Sequence, residues 1–228
     1  MASRYGARVS ARVTAVCVVH TLLPESSTPS GLTSIDKRQV AGPVPVGALG
    51  LRGDSQQDVR HHGGDEYAVY VYADEDARWW ADELGRDVPP GLFGENLRTT
   101  GLDVSGAVIG QRVRIGDGGL VLEVTAPRNP CGTFARRMGE PQWVRRFAAH
   151  RAPGAYLRVL AEGPVAVHDA VLVLSTPAHG VTVADLMSPG RPGAAEALLA
   201  AADAGEVALG PRMRGDAHRE AARGGPDR

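Results

Sequence analysis

The sequence predicts a mainly β domain, a barrel or sandwich with a few helices packed around it. Three observations point there. Apolar residues fall in short runs instead of long helical stripes. Gly and Pro, 29 and 16 of 228 residues, interrupt those runs at close intervals. Only two or three segments carry helical periodicity. With 43% hydrophobic residues the chain can build a core without disulfide or metal staples.

Val9–Val19 reads as the first strand. Its apolar part follows Arg4, Arg8 and Arg12 and loosely imitates a secretion signal. The run is short and β-branched, His20 follows at once, and no small-residue cleavage site comes after Leu23. A strand and a cytoplasmic, reducing setting are therefore expected. Leu23–Gly31, rich in Pro, Ser and Thr, reads as a loop. Between Lys37 and Leu51, Val40, Val44, Val46 and Leu49 are broken by Gly42, Pro43, Pro45 and Gly47, which predicts short extended pieces joined by turns.

Ala68–Tyr72 is apolar, β-branched and aromatic, a strand. Asp74 reads as the N-cap of a helix through Leu84, with Gly85 beyond its end and Ala77, Trp80 and Leu84 on one face. Trp79 and Trp80 read as packing residues. Val108–Thr125 is β again, and Gly116-Asp117-Gly118-Gly119 is its hairpin turn. A helix over Glu140–His150 places Trp143 and Phe147 on one face. Tyr156–Leu160 and Ala170–Leu174 read as strands, Val181–Met187 equally as strand or short helix, and Ala194–Ala204 as a helix. From Asp216 onward the chain reads as a frayed polar tail. The division expected is an extension at 1–11, one domain at 12–187, and a helical extension with a tail at 188–228.

Net charge is −1, which argues against a broad polyanion-binding surface and hence against nucleic acid as a partner. No apolar stretch reaches about 18 residues, so no membrane span is expected. Lys37 is the single lysine among 25 basic residues.

Three clusters could carry chemistry. In Pro127-Arg128-Asn129-Pro130-Cys131-Gly132, two prolines stiffen the backbone around a thiol, and the Arg128 charge favours its thiolate. A thiolate can be a nucleophile, a persulfide carrier or a soft-metal ligand. Sequence pattern leaves Cys131 open between these roles and an inert core thiol, whereas Cys17, in an apolar strand, reads as inert. His61-His62-Gly63-Gly64 suits a Gly-rich turn or an amide-lined anion site, and its spacing supports no zinc site. Phe93–Gly101 gathers Asn96, Arg98, Thr99 and Thr100 in a polar segment able to hold an oxyanion.

Taken in order, these clusters resemble the MOSC domain, the module named after the C-terminal part of molybdenum cofactor sulfurases, in its stand-alone YiiM-like branch. The resemblance lies in Ser34-Ile35-Asp36-Lys37, Gly42-Pro43-Val44, Leu49–Asp54, His62-Gly63-Gly64, Phe93–Leu97, Ile109-Gly110 with Arg114-Ile115-Gly116, Pro127–Cys131 and Gly154–Leu160, and spans about residues 12 to 187. It implies a barrel-like β fold and Cys131 as the functional residue. It also implies a molybdenum cofactor, with Cys131 as metal ligand in a reductase of N-hydroxylated compounds. The alternative is a sulfur carrier working through a Cys131 persulfide.

On the cofactor reading Lys37, Arg38, Arg52, His62, Gly63, Asn96 and Arg128 are candidates to hold the pterin and its phosphate, and Asp54 and Glu95 to orient the site. The partners implied are a small-molecule substrate and a separate protein donating electrons or sulfur. Two places depart from the branch. His168-Asp169 stands where Gly-Asp is common, and Asp65-Glu66-Tyr67 stands where Asp-Lys is frequent, so one basic group is missing.

Overall fold

The computed structural model describes residues 10–57 and 64–223. Its elements in order are β1 (Arg12–Pro24), β2 (Leu32–Gln39), β3 (Val44–Gly47), β4 (Gly50–Leu51), a 3-10 turn (Asp65–Tyr67), β5 (Val69–Ala73), α1 (Asp74–Leu84), β6 (Leu97–Thr100), β7 (Arg112–Ile115), β8 (Leu120–Pro127), α2 (Gly132–Met138), α3 (Trp143–His150), β9 (Ala155–Ala161), β10 (Gly163–Val165), β11 (Val171–Ser175), α4 (Val183–Leu186), α5 (Ala194–Asp203) and α6 (Pro211–Arg223).

Eight strands form one sheet in the order β11-β7-β8-β9-β5-β6-β1-β2, and β10-β3-β4 form a small second sheet. The large sheet is antiparallel except where β5 and β6, linked by α1, run parallel. The expected barrel is corrected here: the sheet is not closed. The start of β1 does bond the segment leading into β11, through Val13 N–H to Asp169 O and Val171 N–H to Ala11 O. The other half of β1 turns away to pair with β2, whose far edge has no strand partner among the described residues.

The strongest sequence signals became elements because their apolar spacing matched a buried surface. All five residues of β5 are buried, and β7 alternates buried Val113 and Ile115 with exposed Arg112 and Arg114. Helix α1 ends at Gly85 with φ +62°, a conformation that glycine adopts without strain. It starts at Asp74 itself, with Ala73 in the cap position, one residue away from the expected start. One further expectation is corrected: residues 216–223 belong to α6, not to a frayed tail. The 132–138 segment, for which the sequence carried no expectation, is helical.

The core has two parts. Aliphatic side chains fill the main sheet, among them Leu97, Leu120, Leu122 and Ile115. An aromatic cluster of Tyr70, Tyr72, Trp80, Phe93, Phe134, Trp143 and Phe147 joins β5 to α1, α2 and α3. Phe147 touches Phe134 at 5.0 Å and Trp80 at 5.8 Å between ring centres and is fully buried. Trp79, by contrast, is 42% exposed and stacks on His150 at 3.6 Å. No helix among the described residues is long and apolar enough to cross a membrane. Truncating Phe147 to Ala removes the ring that ties α3 to both α1 and α2; a stability loss of about 3–5 kcal/mol is expected in denaturant unfolding.

Candidate functional site

One cavity of about 490 Å³ opens between the β1–β2 hairpin, the segment after β4, and the loop that carries Cys131. Its polar end is built around the Asp54 carboxylate. Lys37 Nζ lies 2.7 Å from Oδ2, Asn96 Nδ2 donates to the same oxygen at 2.8 Å, and Val19 N–H donates to Oδ1 at 3.1 Å. Asn96 is fixed in turn, because its Oδ1 accepts from Tyr70 N–H at 3.1 Å and its Nδ2 also reaches Cys17 O at 3.3 Å. Four segments distant in sequence thus meet at one buried ion pair.

The turn before Asn96 holds Lys37 from the other side. Gly91 has φ +86°, and a Cβ there would lie 2.3 Å from the Lys37 carbonyl oxygen, so only glycine permits this approach. Glu95 secures the turn. It is fully buried, accepts from Gly91 and Phe93 N–H at 2.8 and 3.0 Å, and pairs with Arg98 Nε at 2.6 Å. Arg98 spends its other nitrogens on the carbonyls of Val88 and Pro89. Glu95 therefore shapes the loop from behind and does not line the cavity.

The opposite end carries the thiol. Cys131 is half-buried at the entry to α2 and packs beside the aromatic cluster. Two ion pairs pin that helix to the β1–β2 hairpin. Arg136 grips Glu25 with two bonds, at 2.5 and 3.1 Å, and Arg137 meets Asp36 at 2.7 Å. The Arg136 guanidinium, helped by the Ser27 hydroxyl and N–H, lowers the Glu25 pKa to about 2. Cys17 differs from Cys131 in every respect. Burial, reinforced by the Glu95 charge, raises its pKa to about 12, and it stays an inert thiol.

Between the two ends the wall is aromatic, formed by Tyr67, Tyr70, Phe93 and Tyr156, while the mouth is lined with hydroxyls and amides. Burial raises the pKa of Tyr70 and Tyr156, so both remain neutral phenols. Arg128 lines the cavity although it is only 6% exposed. Its guanidinium lies 3.8 Å from the Phe134 ring centre and donates to Asn129 O, but its Nε has no hydrogen-bond partner. Of the cavity's cations, Lys37 and Arg136 each face a carboxylate within 2.7 Å. Arg128 makes no ion pair among the described residues, so its charge is not neutralised there and favours an anion.

Of the residues singled out from sequence, the fold brings Lys37, Asp54, Asn96, Arg128 and Cys131 into this one cavity. Arg38 and Arg52 point to solvent outside its lining, and His62 and Gly63 lie outside the described residues. Sequence reasoning missed the aromatic wall and Arg136. The alternation in β5 and the Arg136-Arg137 pair soon after Cys131 were the available signals. Among the described residues no cluster of three His, Cys, Asp or Glu side chains could hold a metal by itself.

The sequence model of the MOSC domain matches residues 58–172. A Bacillus subtilis (strain 168) protein named YflK is 34% identical over 151 residues, 66% of this chain and 67% of its own length. Protein YiiM of Escherichia coli (strain K12) is 33% identical over 155 residues, with 66% and 67% covered. A protein of Gibberella moniliformis named a reductase is 33% identical over 152 residues, but those make up only 26% of its length. In structure, YiiM from Geobacillus stearothermophilus superposes with a TM-score of 0.72 at 22% identity, covering 92% of this chain and 99% of that one.

Two outcomes follow from the geometry. Replacing Asp54 by Ala strands the Lys37 charge and costs about 3–5 kcal/mol in denaturant unfolding; adding Lys37→Met recovers part of the loss, so the double-mutant cycle is strongly non-additive. The Glu25–Arg136 pair has its own pH window. Because the folded pKa of Glu25 is lowered to about 2, its stabilisation is complete above the ordinary value of 4.5 and fades as pH falls from there through about 2. The stability gap between the native chain and Arg136→Met should therefore be constant near neutrality and close across that window.

Proposed function

The chain belongs to the MOSC domain family, and from that premise we propose that its cavity binds a molybdenum cofactor, with Cys131 as the protein's ligand to the metal. On this reading the protein is an oxidoreductase that removes oxygen from N-hydroxylated compounds. The carrying observation is the cavity itself: one half-buried thiol, and one buried arginine with an unpartnered donor, in a space of about 490 Å³. The residues fit the group. A thiolate is a soft ligand suited to the metal, and Arg128 suits an anionic phosphate in a setting without a competing carboxylate. When bound, the cofactor supplies two-electron oxygen-atom chemistry, with electrons from a separate donor protein.

The chain's own residues orient and exclude. Pro127 and Pro130 fix the backbone that presents Cys131, and α2, pinned through Arg136 and Arg137, keeps the thiol facing the cavity. Tyr67, Tyr70, Phe93 and Tyr156 offer a flat apolar wall that sheds water from an occupant. The Tyr70 hydroxyl is spent on Pro153 O, which leaves Lys37 as a donor within the same space, placed to support protonation of a leaving hydroxyl as water. Lys37 with Asp54 is charge-balanced and holds shape, whereas Arg128 attracts.

The test is metal and pterin analysis of protein purified from a host that makes the cofactor, with reduction of an N-hydroxylated base by a chemical electron donor as the activity. Native protein is expected to carry molybdenum and pterin and to turn over; Cys131→Ser should lose at least tenfold in metal content and all activity while staying folded. Native protein free of both, with a reducible gain of one sulfur at Cys131, would overturn the proposal in favour of a sulfur carrier.

A further inference from the structure

Helix α6 lies outside the residues matched to the family and does not itself line the cavity, yet it packs against one of the wall residues, Tyr67. Its first unsatisfied N–H groups, those of Arg212 and Met213, point at the Glu66 carboxylate at 3.3 and 3.4 Å. A buried carboxylate against the unpaired donors at the start of a 13-residue helix is a complementary joint. The fit is close: a Cβ on Gly210 would lie 2.0 Å from the Glu66 carboxyl carbon.

The next residue is part of the cavity wall. Tyr67 has the Arg212 guanidinium 4.6 Å from its ring centre and the Tyr156 ring edge-on at 4.7 Å. Gln56 Nε2 donates to its carbonyl at 2.9 Å, and the Thr125 hydroxyl lies within hydrogen-bonding reach of both Glu66 O and Tyr156 O. Its backbone is thus held from the cavity side, while its ring depends on Arg212 and Tyr156. The Arg212 charge also opposes the rise that burial imposes on the Tyr67 pKa, as expected of a cation close to the phenol.

We propose that α6 is a working part of the cavity: docked on Glu66, it uses Arg212 to hold the Tyr67 ring and so sets the width available to an occupant beside Cys131. Glu66 and Arg212 are positioning residues. The proposal rests on the cavity being the binding site, and it is independent of which metal or cofactor the cavity takes.

Thiol labelling of the metal-free full chain tests it, since Cys17 is buried and Cys131 is not. Rates are measured for a small reagent, iodoacetamide, and a broad flat one, N-(1-pyrenyl)maleimide. Arg212→Gln frees the ring, and Gly210→Ala displaces the Glu66 carboxylate from the start of the helix. Each should raise the ratio of broad-reagent to small-reagent rate at least fivefold. Arg212→Lys, which keeps a cation over the ring, should stay within twofold of the native ratio. Ratios within twofold of native in both Arg212→Gln and Gly210→Ala would overturn the proposal. So would equal acceleration of both reagents with labelling of Cys17, the mark of general loosening. None of these outcomes depends on molybdenum, so a failure here is separate from a failure of the cofactor reading.

Discussion

The Asp54 carboxylate is the constraint on which the site depends. It takes the only lysine of the chain, the Asn96 amide and a β1 backbone N–H. Such a group does not add much net stability, since desolvating two charges offsets most of their attraction. What it adds is uniqueness. Each partner has a buried donor that becomes costly if any one of them leaves, so β1, β2, the segment after β4 and the entry to β6 must arrive together. The cavity is the space that this arrangement leaves beside α2.

The two ends of the cavity are held by different means. At the Lys37 end, charges are matched inside the cavity wall, and the neighbouring turn is secured by a second buried pair, Glu95 with Arg98. At the Cys131 end, the ion pairs tie α2 to the β1–β2 hairpin, with Arg136 itself in the cavity lining, while Arg128 lies over the Phe134 ring with no carboxylate partner among the described residues. The result is a polar anchor at one end, an attractive, unsaturated cation at the other, and a flat apolar wall between them. That asymmetry suits an elongated ligand with an anionic part and a planar part.

Much of this was legible in the sequence where local pattern and tertiary environment agreed. The buried strand at β5, the β7–β8 hairpin over Gly116–Gly119, the helix ending at Gly85 and the packing role of Trp80 all follow from spacing. Cys17 and Cys131 were separable because one sits in an apolar strand and the other in a proline-stiffened loop. What was not legible depends on partners far away in sequence. Segment 132–138 is a helix because Arg136 and Arg137 find Glu25 and Asp36, more than a hundred positions earlier. α6 is ordered because Glu66 receives it, and the polar surface of that helix gave no local sign of a docking partner. Glu95 was read as a residue that orients the site; its saturation by two N–H groups and Arg98, behind the turn and outside the cavity lining, is a tertiary fact. Sheet closure is likewise decided by where β1 turns between partners, which no alternation pattern records.

The lone lysine has a practical consequence. Lys37 lies in the middle of β2 with only 10% of its side chain exposed and its ammonium held by Asp54. The folded chain therefore offers amine-directed chemistry almost no side-chain target, and a lysine-specific protease has a single internal cleavage point, inside a paired strand. Cutting at Lys37 requires the β1–β2 hairpin to part first. The rate of that one cut, read as the appearance of two fragments, is a built-in gauge of how often the anchor end of the cavity opens.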